Sequence, residues 1–246
     1  MQLHVARRHL RSQPHTFEQG RTFGLLRVSA ADLAERIASS RSPSRLLVHA
    51  DRRSSGEIAS RLTELGYRVS TPLALMIGTA RSVLQACRRK GAPKDLHDRV
   101  GLVRIGPRSP PELVRGIQLL QDASGITPLP GWYMRGVELP VVTLAIVDSR
   151  GAPIGAGSIQ TIGSGGEGEL TAMGLAICVS APHRGIGLGT WLNRQLLITA
   201  VVELGAGFLQ EIIDDPASGS RRMNQRCGLV EDVRSHYLFA EHLAMS

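Results

Sequence analysis

Residues Val179 to Thr190 read Val-Ser-Ala-Pro-His-Arg-Gly-Ile-Gly-Leu-Gly-Thr: an apolar strand runs into a turn with glycines at 185, 187 and 189, which opens onto an apolar helix. Glycine lets the backbone come close to a ligand, and a helix start near Gly187 aims unpaired N–H groups and the positive end of the helix dipole at whatever sits there. The chemistry this supports is anion binding, and a pyrophosphate suits it. A dinucleotide fingerprint needs Gly-x-Gly-x-x-Gly, but here the third glycine comes one residue early and no acidic residue stands about twenty positions on in a second strand. A nucleoside-triphosphate loop needs Gly-Lys before Ser or Thr, and Lys90 and Lys94 are the chain's only lysines. The bland alternative is a tight strand-to-helix turn with no ligand.

Arg184-x-x-Gly187-x-Gly189, after a strand and before a helix, resembles the acetyl-coenzyme-A motif of the GNAT acetyltransferases, and the resemblance extends over roughly residues 99 to 246. It implies that Ile177, Cys178 and Val179 line the pantetheine arm, and that Arg184, Gly185, Ile186, Gly187, Leu188, Gly189 and Thr190 hold the pyrophosphate. The co-substrate is then acetyl-CoA, with no metal, and a neutral primary amine attacks the thioester directly. That reaction needs a route for the amine proton, polarisation of the carbonyl and an acid for the leaving thiolate. The family often carries a glutamate thirteen residues before the cradle arginine, where this chain has Thr171. Glu169 lies two residues earlier, on the same strand face, and is the candidate base; a solvated hairpin glutamate is the competing reading. Many members carry a tyrosine four residues before the glycine that ends the last helix. Here that place is Asn224, which donates a hydrogen bond but no proton, and Tyr237 is the nearest tyrosine. A core tyrosine with a satisfied hydroxyl is the alternative for Tyr237. His183 is expected to face solvent, and Cys178 and Cys227 to be small core residues.

These groups need a scaffold, and the periodicity supplies one. Strands are expected at 100–105, 141–147 and 155–162, then Leu170 to Val179 as a central strand apolar on both faces, then Phe208 to Ile213. Ser109-Pro-Pro-Glu112 is a capping-box pattern opening a helix with Leu113, Ile117 and Leu120 on its apolar face. Leu188 to Leu204 is a largely buried helix; Asp215-Pro216 would open another through Cys227, stopped by Gly228, with a final strand pair ending at Phe239. Residues 126–138, including Trp132 and Tyr133, have no clear period, and the resemblance gives this region to the acceptor pocket. Gly163 to Gly168 reads as a loose hairpin turn.

Upstream, Ser29 to Ser39 reads as a helix, Leu46 to Val48 as a strand, Ser54-x-x-Glu57 as a capping box for a helix through Leu65, and Tyr67 to Met76 as a strand pair broken by Pro72. This pattern overlies the C-terminal one without a gap at an offset of 162, so that Leu46 falls on Phe208 and Gly66 on Gly228. The fold class expected is α/β (α+β): a GNAT-like mixed, mostly antiparallel central sheet flanked by helices, preceded by a smaller α/β half-domain of similar pattern. The expected division is residues 1–78, a linker at 79–98 and a GNAT domain at 99–246.

Composition narrows the function classes. With 246 residues and 42% hydrophobic content the chain can bury a real core. The longest uncharged apolar run, Leu170 to Pro182, falls short of the roughly 20 residues that span a bilayer, so no membrane partner is expected. Three scattered cysteines and no basic leader point to a reducing cytoplasm. Residues 1–99 hold 18 Arg and Lys against 8 Asp and Glu, the rest 11 against 13. That uneven charge could serve nucleic acid, but stacking aromatics are few and nucleic acid is an unlikely partner. The expected partners are a small-molecule or peptide amine and a second copy in a homodimer. The runner-up function is a catalytically weak acyl-CoA-binding sensor or regulatory module.

Overall fold

The computed structural model describes residues 16–19, 22–26, 28–40, 43–88, 99–137, 139–164, 170–214 and 219–244. The strands are β1 (Thr16–Gln19), β2 (Thr22–Leu25), β3 (Arg45–Asp51), β4 (Tyr67–Val69), β5 (Leu73–Thr79), β6 (Val100–Ile105), β7 (Val141–Asp148), β8 (Pro153–Ser164), β9 (Leu170–Val179), β10 (Ala206–Ile213) and β11 (Val230–His242). The helices are α1 (Ala30–Ser39), α2 (Ser55–Glu64), α3 (Ala80–Cys87), α4 (Pro111–Ala123), α5 (Gly131–Met134), α6 (Leu188–Val202) and α7 (Gly219–Arg226). One mixed sheet holds them together in the order β1-β2-β3-β11-β5-β10-β9-β8-β7-β6, with β4 pairing β11. Among the described residues β2 runs parallel to β3 and β9 parallel to β10, and every other pairing is antiparallel. The mixed, mostly antiparallel α/β architecture expected from the pattern is the one observed.

Both faces are covered, which is why β7 and β9 read as continuous apolar runs. On one face α6 buries Leu188, Leu192, Leu196 and Leu197 against Leu144, Ile159 and Leu209, with Val83 of α3 and Cys227 after α7 in the same cluster. On the other, α4 and α5 bury Ile117, Tyr133 and Met134 against Ala145, Met173, Leu175 and Tyr237. A third cluster packs Leu33 and Ile37 of α1 and Ile58 and Leu62 of α2 on Leu46, Val48 and Leu238.

Three local expectations are corrected. Ser54 does not cap α2: its φ of −98° and ψ of −5° are helical, and its hydroxyl donates to the Asp51 carbonyl at 3.3 Å instead of accepting from the helix. Nor does Ser109 cap α4. Its hydroxyl accepts from the Gly106 N–H at 2.9 Å, and Pro110 takes the cap position, with Pro111 first in the helix. The expected C-terminal strand pair is one thirteen-residue strand, β11, whose register against β5 shifts between Glu231 and His236. Asp215, Pro216 and Gly165 to Glu169 lie outside the described residues.

At the offset of 162, β3 overlies 207–213, α2 overlies 217–226, and β5 overlies 235–241 in β11. The last strands are exchanged. β5 lies against β10, with Thr79 opposite Phe208 and Ala74 opposite Ile213, while 235–241 of β11 lies against β3, with Ser235 opposite Asp51. Each half of the pattern therefore completes the other's sheet. The parallel β2–α1–β3 crossover likewise matches β9–α6–β10 in form.

Candidate active site

The cradle begins where β9 ends. Ala181–His183 forms a short 3-10 turn, fixed by Ser180 Oγ against His183 Nδ1 at 2.8 Å. Arg184 Nε donates back to the Val179 carbonyl at 2.9 Å, and its Nη2 reaches the Ser124 hydroxyl at 3.5 Å, so its side chain ties the strand end to the end of α4. Gly187 takes the cap position of α6 with φ of +92°, a left-handed conformation that glycine adopts without strain. No side chain caps this helix and no acidic residue stands in its first turn. The first N–H groups of α6 thus have no intrahelical acceptor and, among the described residues, no capping side chain. Residues 185–187 are exposed while Leu188 is buried, so the cradle is open outward and anchored inward. Helix α1, its counterpart in the N-terminal half, is closed: Asp32 N donates to the Ser29 hydroxyl, which in turn donates to the Asp32 carboxylate. An anion has no place at that second helix.

From the cradle a cleft leads into the sheet. Strands β9 and β10 pair in parallel only as far as Gly174 opposite Glu211; beyond that, 175–179 stays with β8 and 212–213 with β5. Next to the point of parting, Ala176 has φ of +50° and the β8–β9 register slips between Ala156 and Ser158. This bulge resets the alternation. Leu175 and Ala176 both pack on the α4 side, after which Ile177 and Val179 face α6 and Cys178 faces α4. Burial pushes the Cys178 thiol up to about 11. All three cysteines are buried and reduced. Ellman's reagent is expected to find none of them in the native chain within minutes and all three in denaturant.

A buried polar cluster sits under α6 at the same point. Glu211 is 4% exposed, and its carboxyl lies against Gly174, where a Cβ would meet Glu211 Oε1 at 3.0 Å. Asn193 of α6 donates through Nδ2 to Asn224 Oδ1 of α7 at 2.8 Å, and both residues are buried. Burial raises the Glu211 pKa from 4.5 to about 7, while hydrogen bonds from Asn193 and Asn224 oppose the shift. Among the described residues Glu211 Oε1 and Asn193 Oδ1 have no donor.

The raised value has a consequence for stability. The native carboxyl holds its proton through the pH range in which the unfolded one, near 4.5, has lost it, so the native state binds more protons there and stability falls as pH rises. The loss should run from about pH 4.5 to about 7, then level off, and amount to about 3 kcal/mol at most. Urea unfolding of Glu211→Gln should lack this decline; an equal decline in variant and parent would assign it to other groups.

The structure places Ile177, Cys178 and Val179 at the end of β9, Arg184, Gly185, Ile186 and Gly187 in the turn, and Leu188, Gly189 and Thr190 in the first turn of α6, with Asn224 on α7, which packs against that turn: Gly189 lies close to Met223, and the Cys227 thiol donates to the Thr190 carbonyl at 3.8 Å. Tyr237 lies elsewhere. It packs with α4 on the opposite face, fully buried, edge-on to His49, its hydroxyl donating to Gln210 Oε1 at 3.0 Å, and burial raises its pKa far above neutral. Glu169 is outside the described residues. Tyr133 of α5 hydrogen-bonds Gln160 within the region expected to shape an acceptor pocket. Sequence reasoning missed Glu211 and Asn193; the available signal was a lone carboxylate in the apolar strand 208–213. Among the described residues no helix is long and apolar enough to cross a membrane, and no group of three His, Cys, Asp or Glu is arranged to hold a metal.

No family model matches the chain, and no curated protein matches it. Solved structures do. A GCN5-related N-acetyltransferase from Kribbella flavida aligns over 99% of this chain and 96% of its own, at TM-score 0.57 and 14% identity. A tandem GNAT protein from the clavulanic acid biosynthesis pathway aligns over 90% of this chain and 74% of its own, at TM-score 0.53 and 14% identity. A GCN5-related N-acetyltransferase from Sphaerobacter thermophilus aligns over 92% and 75%, at TM-score 0.51 and 13% identity. The chain has the fold of the GCN5-related N-acetyltransferases, and at these identities the likeness is one of fold.

Proposed function

We propose that the chain is an N-acetyltransferase that moves an acetyl group from acetyl-coenzyme A to a primary amine. The observation that carries this reading is the uncapped, glycine-lined head of α6 opening directly onto the cleft between β9 and β10. The dimensions support it. About twelve bonds separate the pantetheine phosphate oxygen from the sulfur, a reach of about 14 Å. The four residue steps from Val179 back to Leu175 span about 13 Å of strand. A diphosphate on the α6 N–H groups therefore sets the thioester beside Leu175 and Ala176, next to the vertex of the wedge.

In this reading coenzyme A, when bound, supplies the activated acyl group, and the chain's residues do the rest. The first-turn N–H groups of α6 hold the diphosphate, with Arg184 fastening the turn that presents them. The edge of β9 that β10 leaves free offers backbone donors and acceptors to the amides of the arm, and the bulge at Ala176 turns backbone toward the acyl carbonyl. Glu169 takes the amine proton, directly or through water; Glu169→Gln should lower turnover on the acid side of the pH profile, and unchanged turnover at every pH would remove it from the mechanism. The N-terminal half contributes β5 to the sheet beside β10, and its helix α1 has its head closed by Ser29 and Asp32.

A second reading, a coenzyme-A-binding module without turnover, draws on Thr171 and Asn224 standing where the resemblance places a glutamate and a tyrosine. Calorimetry with acetyl-coenzyme A, followed by thiol release with a panel of a polyamine, an amino sugar and a lysine peptide, separates the two. Micromolar binding with amine-dependent release supports the enzyme. Binding without release favours the module, and no binding removes both.

A further inference from the structure

Resting on that reading, we propose that Glu211 is the site's internal acid: from the vertex of the β9–β10 wedge its carboxyl protonates the sulfur of the departing thiolate, taking the part for which Asn224 has no proton to give. Three observations carry it. Glu211 and Gly174 form the last pair before the strands part, and the absence of a side chain at 174 leaves the carboxyl lying against the end of the wedge, about one strand residue from where the sulfur arrives. Asn193 and Asn224 flank the carboxyl from two helices and are joined to each other at 2.8 Å, so the group is held, not merely buried. Among the described residues Glu211 Oε1 has no donor, so this buried oxygen is costly to hold as part of a carboxylate and less so as part of a neutral carboxyl.

The step balances. As the amine nitrogen bonds to the acyl carbon, the C–S bond breaks and its electron pair stays on sulfur. The Glu211 O–H proton moves to sulfur, giving the free thiol and a carboxylate, and the amine nitrogen loses one proton to its base. Glu211 regains a proton from solvent as the thiol leaves. The carboxyl titrates near 7, so a large fraction is protonated at neutral pH. The charged and titratable groups around it are Arg194 on α6, Cys227 after α7, Cys87 on α3, and, across Met76 of β5, Glu231 of β11, which is ion-paired with Arg221 of α7. Strand β9 contributes none at the contact, since its residue there is Gly174.

The test compares the full chain with Glu211→Gln and Glu211→Asp. Expected for Glu211→Gln are coenzyme A affinity within threefold of the parent, thiol release from acetyl-coenzyme A lowered about 100-fold, and loss of the alkaline limb of kcat with its midpoint near 7. Glu211→Asp keeps an acid and should keep the limb at a reduced rate. Infrared difference spectra of the chain without coenzyme, parent minus Glu211→Gln, should contain a protonated carboxyl band that fades from pH 5 to 9. Unchanged thiol release and pH profile in Glu211→Gln, a rate lost only in step with coenzyme affinity, or no such band, would each overturn the assignment. A parent chain that binds no coenzyme A takes down the acetyltransferase reading and this proposal together, whereas an active parent with an equally active Glu211→Gln takes down the acid alone.

Discussion

Gly187→Asp, Gly189→Asp should bind acetyl-coenzyme A at least 100-fold more weakly than the parent while staying folded. The anion site consists of N–H groups of the first turn of α6, which no cap side chain satisfies among the described residues. Aspartates at the cap and in the first turn place carboxylates on those groups and like charge against the diphosphate, and a loss of about 3 kcal/mol corresponds to about 100-fold in affinity. The protein already contains this state: Ser29 and Asp32 close the head of α1 in the same manner. Folding should survive, since acidic residues near a helix start favour the helix and a Cβ at 189 meets Met223 Sδ at an ordinary 3.5 Å. The left-handed φ of 187 adds about 1–2 kcal/mol of strain to the folded state. Calorimetry with circular dichroism as the folding control reads the result, and an affinity within threefold of the parent would mean that the cradle is only a turn.

The largest effect on stability is expected from Gly228→Ala, about 2–4 kcal/mol, read as a shift in the urea midpoint with the slope unchanged. Gly228 ends α7 with φ of +89°, and a Cβ there would stand 2.6 Å from the Ser82 carbonyl oxygen and 3.1 Å from Ala86 Cβ. These are groups of α3, so the clash falls on backbone that has no room to yield: Val83 and Cys87 beside it belong to the core under α6. The substitution therefore strains both its own backbone and the contact by which the segment between the two halves holds the C-terminal helices. Gly125→Ala, at φ of +74° with nothing within 4 Å of its Cβ, isolates the conformational part and should cost about 1 kcal/mol. Equal costs at the two positions would show that the contact with α3 carries no weight.

Much of this was legible along the chain. The cradle was readable because an anion site at a helix head is local: strand, glycines and helix lie within twelve consecutive residues, and no distant side chain completes it. The strands at 141–148 and 170–179 and the buried α6 were readable because an element covered on both sides must be apolar throughout. The pattern that recurs at an offset of 162 showed for the same reason, since each unit carries its own strand, helix and glycine stop.

Where readings failed, a hydrogen-bonding choice between near neighbours had been decided by what lay beyond them. Ser54 and Ser109 have cap-forming types at cap-forming positions, yet each hydroxyl found a backbone partner on the preceding turn. The bulge at Ala176 has no signature of its own, because alanine does not announce a left-handed φ, and by shifting the alternation one residue it decides that Val179 faces α6 and Cys178 faces α4, and not the reverse.

The sequence by itself determined most of the units from β3 onward, the bare head of α6 and the pattern that the two halves share, all of them properties of neighbours in the chain; the short strands β1 and β2 were not among them. Only the tertiary structure decided that β5 and β11 change places between the halves, that Tyr237 and Asn224 stand on opposite faces of the sheet, and that Glu211 meets Asn193, Asn224 and Gly174 at the point where the wedge opens. The physical reason is the same in each case. Strand partners and buried polar contacts join residues far apart in sequence, and the free energy that selects them, the satisfaction of buried donors and acceptors in one closed sheet, does not exist until the sheet is assembled.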